Sequence, residues 1–373
     1  MRDVVIAGYA RSPFTLANKG ALARVRPDDL AAEVVKGLVA RTGVKVDDIE
    51  DLLMGCAFPE GEQGFNLARL VVLLADLPLS VGGMTINRFC GSSMSGVHYA
   101  AGQIQLGAGE VFICAGVESM SRVPMMGFNP MPNPALAKAS QAYIGMGDTA
   151  ENVAKAYSLS RAEQEAFAVL SQQKAAAAVA AGKLADEIVP VAGVTADGTP
   201  RPETTAETLA GLKPAFSAEG TVTAGTSSPL TDGAAAVLVC SADYAKANNL
   251  DVLARVKSVA ISGCAPEIMG IGPVASSQKA LARAGITVAD LDVVELNEAF
   301  ASQSLAVIRD LGLDIAKVNL DGGAIAVGHP LGATGARIVG KAASLLKRQG
   351  GKYALATQCI GGGQGIATVL EAI

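Results

Sequence analysis

The sequence predicts an α/β protein built from two copies of one unit, with an insertion in the first copy. Apolar runs without strict alternation recur between helical patterns, as in sheets covered on both faces. A single shift aligns residues 44–58 with 286–300 and residues 109–115 with 351–357, which indicates a duplication. A proline-rich stretch of different character separates the copies.

Each element of the first copy follows from its pattern. Leu30, Val34, Val35 and Leu38 recur at helical spacing and predict a helix. The predicted elements, in chain order, are a strand at 4–7, a helix at 27–41, a strand at 49–57, a helix at 63–77, a strand at 81–86, a helix at 95–106 and a strand at 111–115.

The insertion is predicted at residues 119–222. Four prolines between 119 and 141 exclude regular structure throughout that stretch. Five of the ten methionines lie between Met120 and Met146, and such a flexible thioether surface suits either an acyl chain or simple gap filling under a loop. Residues 148–181 read as helix, with a capping box that begins at Ser160.

These patterns divide the chain into three parts. The first half comprises residues 1–118 plus 223–252, because the sequence returns to an apolar strand after residue 222. The inserted loop domain is 119–222, and the second half is 253–373.

Composition excludes several classes of protein. Half of the residues are hydrophobic, 17% are charged and the net charge is −5, without a basic run, which argues against a nucleic-acid surface. No uninterrupted apolar run is long enough to cross a membrane, and the start lacks the layout of a signal peptide. The six cysteines are scattered without a CxxC pair, which predicts neither zinc nor disulfides and favours the cytoplasm.

Cys90 lies in the stretch Asn87–Met94, between a predicted strand and a predicted helix. The N-terminus of a helix offers free N–H groups and a positive dipole end, which favour a thiolate. The alternative is a small buried hydrophobe, which is what most free cysteines are.

Three further reactive positions lie in the second copy. His329 stands in a glycine-dense turn before a helix, where backbone can approach a ligand closely. Cys359 follows a strand and precedes Gly361 and two more glycines, and Asn297 ends the strand at 293–296. Such strand ends hold ligand contacts in open α/β sheets, so thiol-based acyl transfer is plausible.

Four stretches together, Asn87–Met94, Asn297–Ala301, Gly322–Gly335 and Cys359–Gly365, resemble the thiolase family, specifically its acetyl-CoA C-acyltransferases. The resemblance extends over essentially the whole chain. It implies the thiolase fold: two duplicated βαβαβαββ halves in a five-layer α-β-α-β-α sandwich, with a loop domain inserted in the first half.

The resemblance also implies roles. Cys90 would carry the acyl group, and His329 would accept its proton. With a water held by Asn297, His329 would form one oxyanion hole, while the N–H groups of Cys90 and Gly361 would form a second. Cys359 would handle the α-proton of acetyl-CoA. The implied ping-pong reaction converts 3-ketoacyl-CoA and CoA into acetyl-CoA and a shortened acyl-CoA, or the reverse.

Coenzyme A is a substrate in this scheme, and no cofactor or metal is expected. By the same resemblance Met146 and Ser277 would contact its pantetheine arm. Ala299 and Phe300 are nearby candidates. In many acetoacetyl-specific relatives a histidine precedes the methionine, and here Gly145 stands in that place. Its absence leaves more room near the acyl site.

Three local sequences are similar to those of degradative bacterial 3-ketoacyl-CoA thiolases: the stretch around Cys90, residues 62–66 and residues 201–205. This similarity favours a role in fatty acid β-oxidation. One alternative is a biosynthetic enzyme specific for acetoacetyl-CoA, and another is a non-catalytic thiolase-like scaffold that binds CoA. A ketoacyl synthase would need two histidines in the second half, but only His329 lies there, since His98 belongs to the first half. The resemblance implies a homodimer or homotetramer, with a multifunctional β-oxidation subunit as a further possible partner.

Overall fold

The apolar runs fold into ten strands and twelve helices within residues 2–373, which the computed structural model describes. The strands are β1 (Val4–Arg11), β2 (Thr15–Leu16), β3 (Asp51–Gly55), β4 (Gly82–Ile86), β5 (Val111–Ser119), β6 (Thr231–Ser241), β7 (Ala254–Gly263), β8 (Val293–Leu296), β9 (Tyr353–Ile360) and β10 (Gln364–Glu371). The helices are α1 (Pro27–Thr42), α2 (Leu67–Leu74), α3 (Ser92–Leu106), α4 (Pro134–Ala139), α5 (Met146–Ala156), α6 (Arg161–Ala180), α7 (Ala206–Ala210), α8 (Ala242–Ala247), α9 (Gly272–Ala284), α10 (Ala301–Leu311), α11 (Ala324–Val327) and α12 (Leu331–Gln349).

Two predicted helices are shorter than expected. The helix predicted at 63–77 is α2, because Phe65 adopts a left-handed backbone, φ 54°, that a helix cannot contain. The helix predicted at 148–181 is two helices, α5 and α6, separated at Ser158, which has φ 51°. The capping box at Ser160 is confirmed and starts α6, with Glu163 as its other member.

The two halves of the sheet have the same strand order. In the first half the order is β4-β3-β5-β6-β1, and in the second it is β8-β9-β10-β7. In each half the early strands are parallel and the last strand, β6 or β10, pairs antiparallel with both of its neighbours. A short pairing between β1 and β7 joins the halves.

The duplication is confirmed by the elements themselves, because β8 and β9 lie at the predicted shift from β3 and β5. One strand differs between the copies. The counterpart of β4 in the second half is reduced to a single bridge between Val294 and Val318. The second half-sheet is therefore narrower at its outer edge.

Three apolar cores lie between five layers. Helices α1 and α2 cover the outer face of the first half-sheet. Helices α3 and α12 form the central layer between the inner faces of both half-sheets. Helices α9 and α10 cover the outer face of the second half-sheet. The predicted α-β-α-β-α order is thus confirmed, and the ends of both central helices meet where the halves join.

The segment between β5 and β6 carries α4, α5, α6 and α7, and no strand of the sheet was found in it among the described residues. Its helix α6 packs on α10 and α11 of the second half. Glu187 and Asp197 of the same segment accept hydrogen bonds from Arg11 on β1, so the insertion lies against both halves. The bounds 119 and 222, like the other two domain limits, stay a prediction. No helix within residues 2–373 combines the length and the apolar character that crossing a bilayer requires.

Candidate active site

Cys90 lies in a tight turn between β4 and α3, and short polar side chains hold that turn. The backbone N–H of Arg88 donates to Ser92 Oγ at 2.9 Å, and Ser92 Oγ donates to the carbonyl of Phe89 at 2.6 Å. Asn87 Oδ1 accepts from the N–H of Phe89 at 2.8 Å. Phe89 itself has φ 43°, a strained conformation for a non-glycine residue that costs roughly 1–3 kcal/mol.

The second half supports this turn from the other side. The side-chain Nε2 of Gln358, on β9, donates to the carbonyl oxygen of Cys90. A Cβ added to Gly91 would lie 2.5 Å from Ile360 Cδ1, so the absence of a side chain lets the turn approach β9. The nucleophile candidate of the first copy is thus seated on the sheet of the second.

The Cys90 thiol is neutral at rest. Burial raises its pKa to about 12, although hydrogen bonds from the N–H of Gly361 and from its own N–H act in the opposite direction. The charge of Glu118 raises the pKa further. The N–H of Cys90, in the turn before α3, favours the thiolate in the expected direction, but desolvation outweighs both N–H groups in the resting site.

His329 is a buried imidazole with a defined orientation. Its Nδ1 lies 2.7 Å from Thr334 Oγ1, whose hydroxyl donates to the carbonyl of Pro330 at 3.0 Å. Thr334 Oγ1 therefore accepts from Nδ1–H, which leaves the lone pair on Nε2. Burial, with a smaller effect of the Arg337 charge, lowers the pKa of His329 to about 3. A neutral ring with a free Nε2 can accept a proton.

Asn297 lies beside that nitrogen. Its Nδ2 is 3.3 Å from His329 Nε2, and its backbone N–H donates to the carbonyl of Thr357 at 3.0 Å. Its Oδ1 is buried and has no hydrogen-bond partner within residues 2–373. A buried acceptor of this kind is suited to a polar group of a ligand or a water.

Cys359 follows Gln358 on β9, one residue before the strand ends, and packs in an apolar cluster. Its neighbours in that cluster include Met146, Ala299 and Phe300, three of the four residues predicted to lie along the pantetheine arm. Burial and, second, the nearby Cys90 raise the pKa of the Cys359 thiol well above its usual range. The two thiols are therefore close enough to interact electrostatically.

Gly361 lies between the apolar cluster that contains Cys359 and the turn that contains Cys90. A Cβ at this position would be 3.5 Å from Met146 Sδ and 3.6 Å from the Phe89 ring. Its N–H lowers the pKa of the Cys90 thiol, as described above. Of the five residues predicted as catalytic, Asn297 thus lies beside His329, and Gly361 and Cys359 lie near Cys90. The two groups adjoin through α12, which follows His329 and packs on the start of α3, where the N–H of Ala336 donates to Ser93 Oγ at 2.8 Å.

Ser277 is not brought to this place by any recorded contact. It lies on α9, is fully buried, and donates from Oγ to Thr357 Oγ1 at 3.0 Å. By contrast, the backbone of Ser227 forms an isolated bridge with Phe300. Ser227, in the stretch of the first half that leads from the insertion to β6, therefore lies beside the apolar cluster that contains Phe300.

Sequence reasoning also missed Glu118, a buried carboxylate at the end of β5. It accepts from the N–H of Ala57 at 2.8 Å, the N–H of Gly332 at 2.9 Å and Gln63 Nε2 at 2.9 Å. It thereby ties a first-half loop to the first turn of α12, which follows His329. A lone acid in the apolar run of β5 was the available signal, since buried charges need partners.

The remaining cysteines and His98 lie outside this group. Cys56, Cys114 and Cys240 are buried, as expected for inert core thiols. Cys264 directly follows β7 and is partly exposed. His98 is packed, with Nε2 2.9 Å from Thr368 Oγ1.

A duplicated α/β fold that gathers two thiols, an imidazole and an amide between its halves defines a protein equipped for thiol chemistry. The chain belongs to the thiolase family: residues 4–243 match "Thiolase, N-terminal domain" and residues 250–372 match "Thiolase, C-terminal domain". The family and the fold expected from the sequence are thereby confirmed.

Several known proteins are similar to the chain over its full length. A 3-ketoacyl-CoA thiolase of Bacillus subtilis (strain 168) is 49% identical over 389 residues, with 100% of each chain covered. One of Aeromonas salmonicida (strain A449) is 49% identical over 390 residues, again with 100% of each covered. The crystal structure of human mitochondrial 3-ketoacyl-CoA thiolase has a TM-score of 0.92 and 39% identity, covering 100% of this chain and 99% of that one. The same human protein is also known in complex with CoA, with a TM-score of 0.92.

Proposed function

We propose that this chain cleaves 3-ketoacyl-CoA with CoA into acetyl-CoA and an acyl-CoA shortened by two carbons, and catalyses the reverse condensation. The similar proteins are named for this activity, and this chain matches them over nearly their whole length. The observation that carries the proposal is the placement of the Cys90 sulfur against the N–H of Gly361, with Cys359 close by.

The first half-reaction begins at Cys90. Its sulfur attacks the 3-keto carbon while His329 Nε2 accepts the thiol proton, since the resting thiol is neutral and the ring is unprotonated. The N–H groups of Cys90 and Gly361 stabilise the tetrahedral oxyanion. The bond between C2 and C3 then breaks, and the acyl group remains on Cys90.

The departing enolate of acetyl-CoA takes its proton from Cys359. Its oxygen is stabilised by His329 together with a water held by Asn297 Oδ1, the buried acceptor without a protein partner. In the second half-reaction the thiol of CoA gives its proton to Cys359 and attacks the acyl carbon on Cys90. The bond between that carbon and the Cys90 sulfur then breaks, and the Cys90 thiolate takes its proton back from His329. Coenzyme A is a substrate, and the expectation that no metal or cofactor takes part stays a prediction.

Intact-protein mass spectrometry after incubation with acetyl-CoA tests the chemistry. We expect a mass increase of one acetyl group that peptide mapping places on Cys90. If no covalent adduct forms on the wild-type protein, the scaffold alternative replaces the enzyme.

The substrate class proposed is 3-ketoacyl-CoA of medium chain length as well as acetoacetyl-CoA, with degradation as the use. Gly145 is the N-cap of α5 and directly precedes Met146, in the place where the resemblance puts a histidine in many acetoacetyl-specific relatives. The test is the ratio of kcat/KM for acetoacetyl-CoA and 3-ketooctanoyl-CoA. A preference for acetoacetyl-CoA above about tenfold, or 1.4 kcal/mol, would favour the biosynthetic alternative.

The proposed assembly is a homodimer or homotetramer. Strand β4 is the outer edge of the sheet, so one side of its backbone is open to pairing. Phe65, Leu79 and Leu106 are largely exposed, at 97%, 76% and 80%. Light scattering at micromolar concentration measures the mass, and a monomer would contradict the proposal. A cytoplasmic location and a multifunctional β-oxidation partner stay proposals, the first supported by the free thiols.

A further inference from the structure

Gln358 connects the two reactive thiols through the backbone. It precedes Cys359 on β9, is fully buried, and donates from Nε2 to the carbonyl oxygen of Cys90. The two residues in this contact lie 268 positions apart in the chain. A single side chain of the second half therefore fixes the peptide group that follows the nucleophile.

Two serines of the first half hold the neighbouring carbonyl groups of the Cys90 turn. Ser92 Oγ donates to the carbonyl of Phe89 at 2.6 Å, and Ser95 Oγ donates to the carbonyl of Gly91 at 2.9 Å. Between them, the carbonyl of Cys90 accepts from Gln358. Ser92 and Ser95 belong to α3, so they move with the turn, whereas Gln358 sets its position relative to the second half.

The alternation of β9 places this contact next to the proton-transfer residue. Thr357 faces α9 through Ser277, and Cys359 packs in the cluster of Met269 and Phe300. Gln358, between them, points to the opposite face, towards the central layer that contains Cys90. Cys359 and the support of Cys90 are consequently neighbours on one rigid strand.

We propose that Gln358 is a positioning residue for the nucleophile, whose amide holds the Cys90 peptide so that the sulfur stays against the N–H of Gly361. This inference rests on the proposed function, because it assigns a purpose to the position of an acyl-carrying sulfur. Misplacement of a reacting group by about 1 Å can reduce a rate by about 100-fold. An apolar side chain of similar length would fill the same volume without holding the carbonyl.

Gln358→Met is the first test, with Gln364→Met as its matched control. Gln364 begins β10 and accepts from Arg88 Nη1 at 3.3 Å, and it makes no recorded hydrogen bond to Cys90. We expect Gln358→Met to slow acetylation of Cys90 in rapid-quench experiments by about tenfold or more, with the KM for CoA within about twofold of wild type. Gln364→Met should stay within about twofold on both measures, since it leaves the Cys90 peptide held.

The pH dependence of the acetylation rate of Gln358→Glu distinguishes a positioning role from a purely structural one. A protonated carboxyl can donate to the Cys90 carbonyl, whereas a carboxylate can only repel it. Burial raises the pKa of such a carboxyl, so protonation occurs well above its ordinary range. The acetylation rate of Gln358→Glu relative to wild type should therefore rise at least about fivefold from pH 8 to pH 5, while the ratio for Gln358→Met stays flat.

The outcomes separate this inference from the proposed function. Wild-type protein that forms no acetyl adduct would remove the proposed function itself. Wild-type protein that acetylates normally, with Gln358→Met equally fast, would overturn the positioning role alone. A Gln358→Glu ratio that does not change with pH would also contradict it, provided that thermal unfolding shows the variant to be folded across that range.

Discussion

The two copies of the α/β unit place different chemistry at the same point. Cys90 and His329 each lie two residues before the central helix of their copy, since α3 begins at Ser92 and α12 at Leu331. A duplicated turn that carries sulfur in the first copy therefore carries imidazole in the second. Because the two central helices pack side by side, the paired residues can act on one substrate.

The two copies also differ at the ends of their strands. At equivalent places, β3 and β5 have Gly55 and Gly116 where the second copy has Asn297 and Gln358. A Cβ on Gly116 would lie 2.1 Å from the carbonyl oxygen of Gly332, in the first turn of α12, and one on Gly55 would lie 2.8 Å from it. The first copy thus omits side chains so that the helix after His329 can dock, whereas the second keeps polar side chains that reach the site.

The largest expected effect comes from the single reactive side chain of the first copy. Cys90→Ser should remove the acetyl adduct and lower kcat by at least about 1,000-fold, because a serine alcohol is far less acidic than a thiol. Steady-state thiolysis and intact mass measure this. Activity within tenfold of wild type would mean that the nucleophile lies elsewhere.

Cys359→Ala separates the contribution of the second copy. Cys90 should still accept an acetyl group, but condensation and thiolysis should fall by about 100-fold or more because no thiol remains to move the α-proton. Single-turnover acetylation and steady-state condensation report the two steps separately. Condensation at a near wild-type rate would show the proton-transfer assignment to be wrong.

Gly116→Ala tests the docking of α12 on the first copy. The added methyl group would meet the Gly332 carbonyl, and we expect a loss of about 1–3 kcal/mol in the free energy of unfolding by urea, together with slower acetylation. Gly102→Ala is the matched control, since that glycine lies inside α3 with no atom within 4 Å of an added Cβ. The free energy of unfolding of Gly102→Ala should rise by up to about 1 kcal/mol, because alanine has the higher helix propensity. Equal effects at both positions would contradict the docking argument.

The pH dependence sharpens the comparison of the paired residues Cys90 and His329. With pKa values of about 12 for the thiol and about 3 for the imidazole, both groups are uncharged from pH 5 to 9. Alkylation of Cys90 by iodoacetamide requires the thiolate, so its rate should rise about tenfold per pH unit over that range. A plateau near pH 7 would instead reveal a resting thiolate–imidazolium pair.

Much of the fold was predictable from local patterns. The shift between the copies located β8 and β9, and the apolar periodicity located α1 almost to the residue. The helix predicted at 148–181 failed at Ser158, because one left-handed residue interrupts a helix without any change in composition. The site was predictable as a set of residue types, since Cys90, His329, Cys359 and Asn297 stand in recognisable turns and strand ends.

Other features of the site had no local signal. Ser277 donates to Thr357, a contact between α9 and β9 that no local pattern indicated, and its place at the pantetheine arm stays a prediction. The contact between Gln358 and Cys90 joins residues whose separation in the chain gives no hint of proximity. Glu118 was visible only as an acid in an apolar strand, and its N–H partners come from the loop after β3 and from the first turn of α12.

The sequence by itself determined the elements, the duplication and the reactive residues available to the protein. These depend on side-chain periodicity and on turn chemistry within a few neighbouring residues. Only the tertiary structure decided that a turn of the first copy rests on β9 of the second, and that the Cys90 thiol is neutral. Burial and long-range hydrogen bonds set both, because the free energy of a charge or an amide depends on what packs around it after folding.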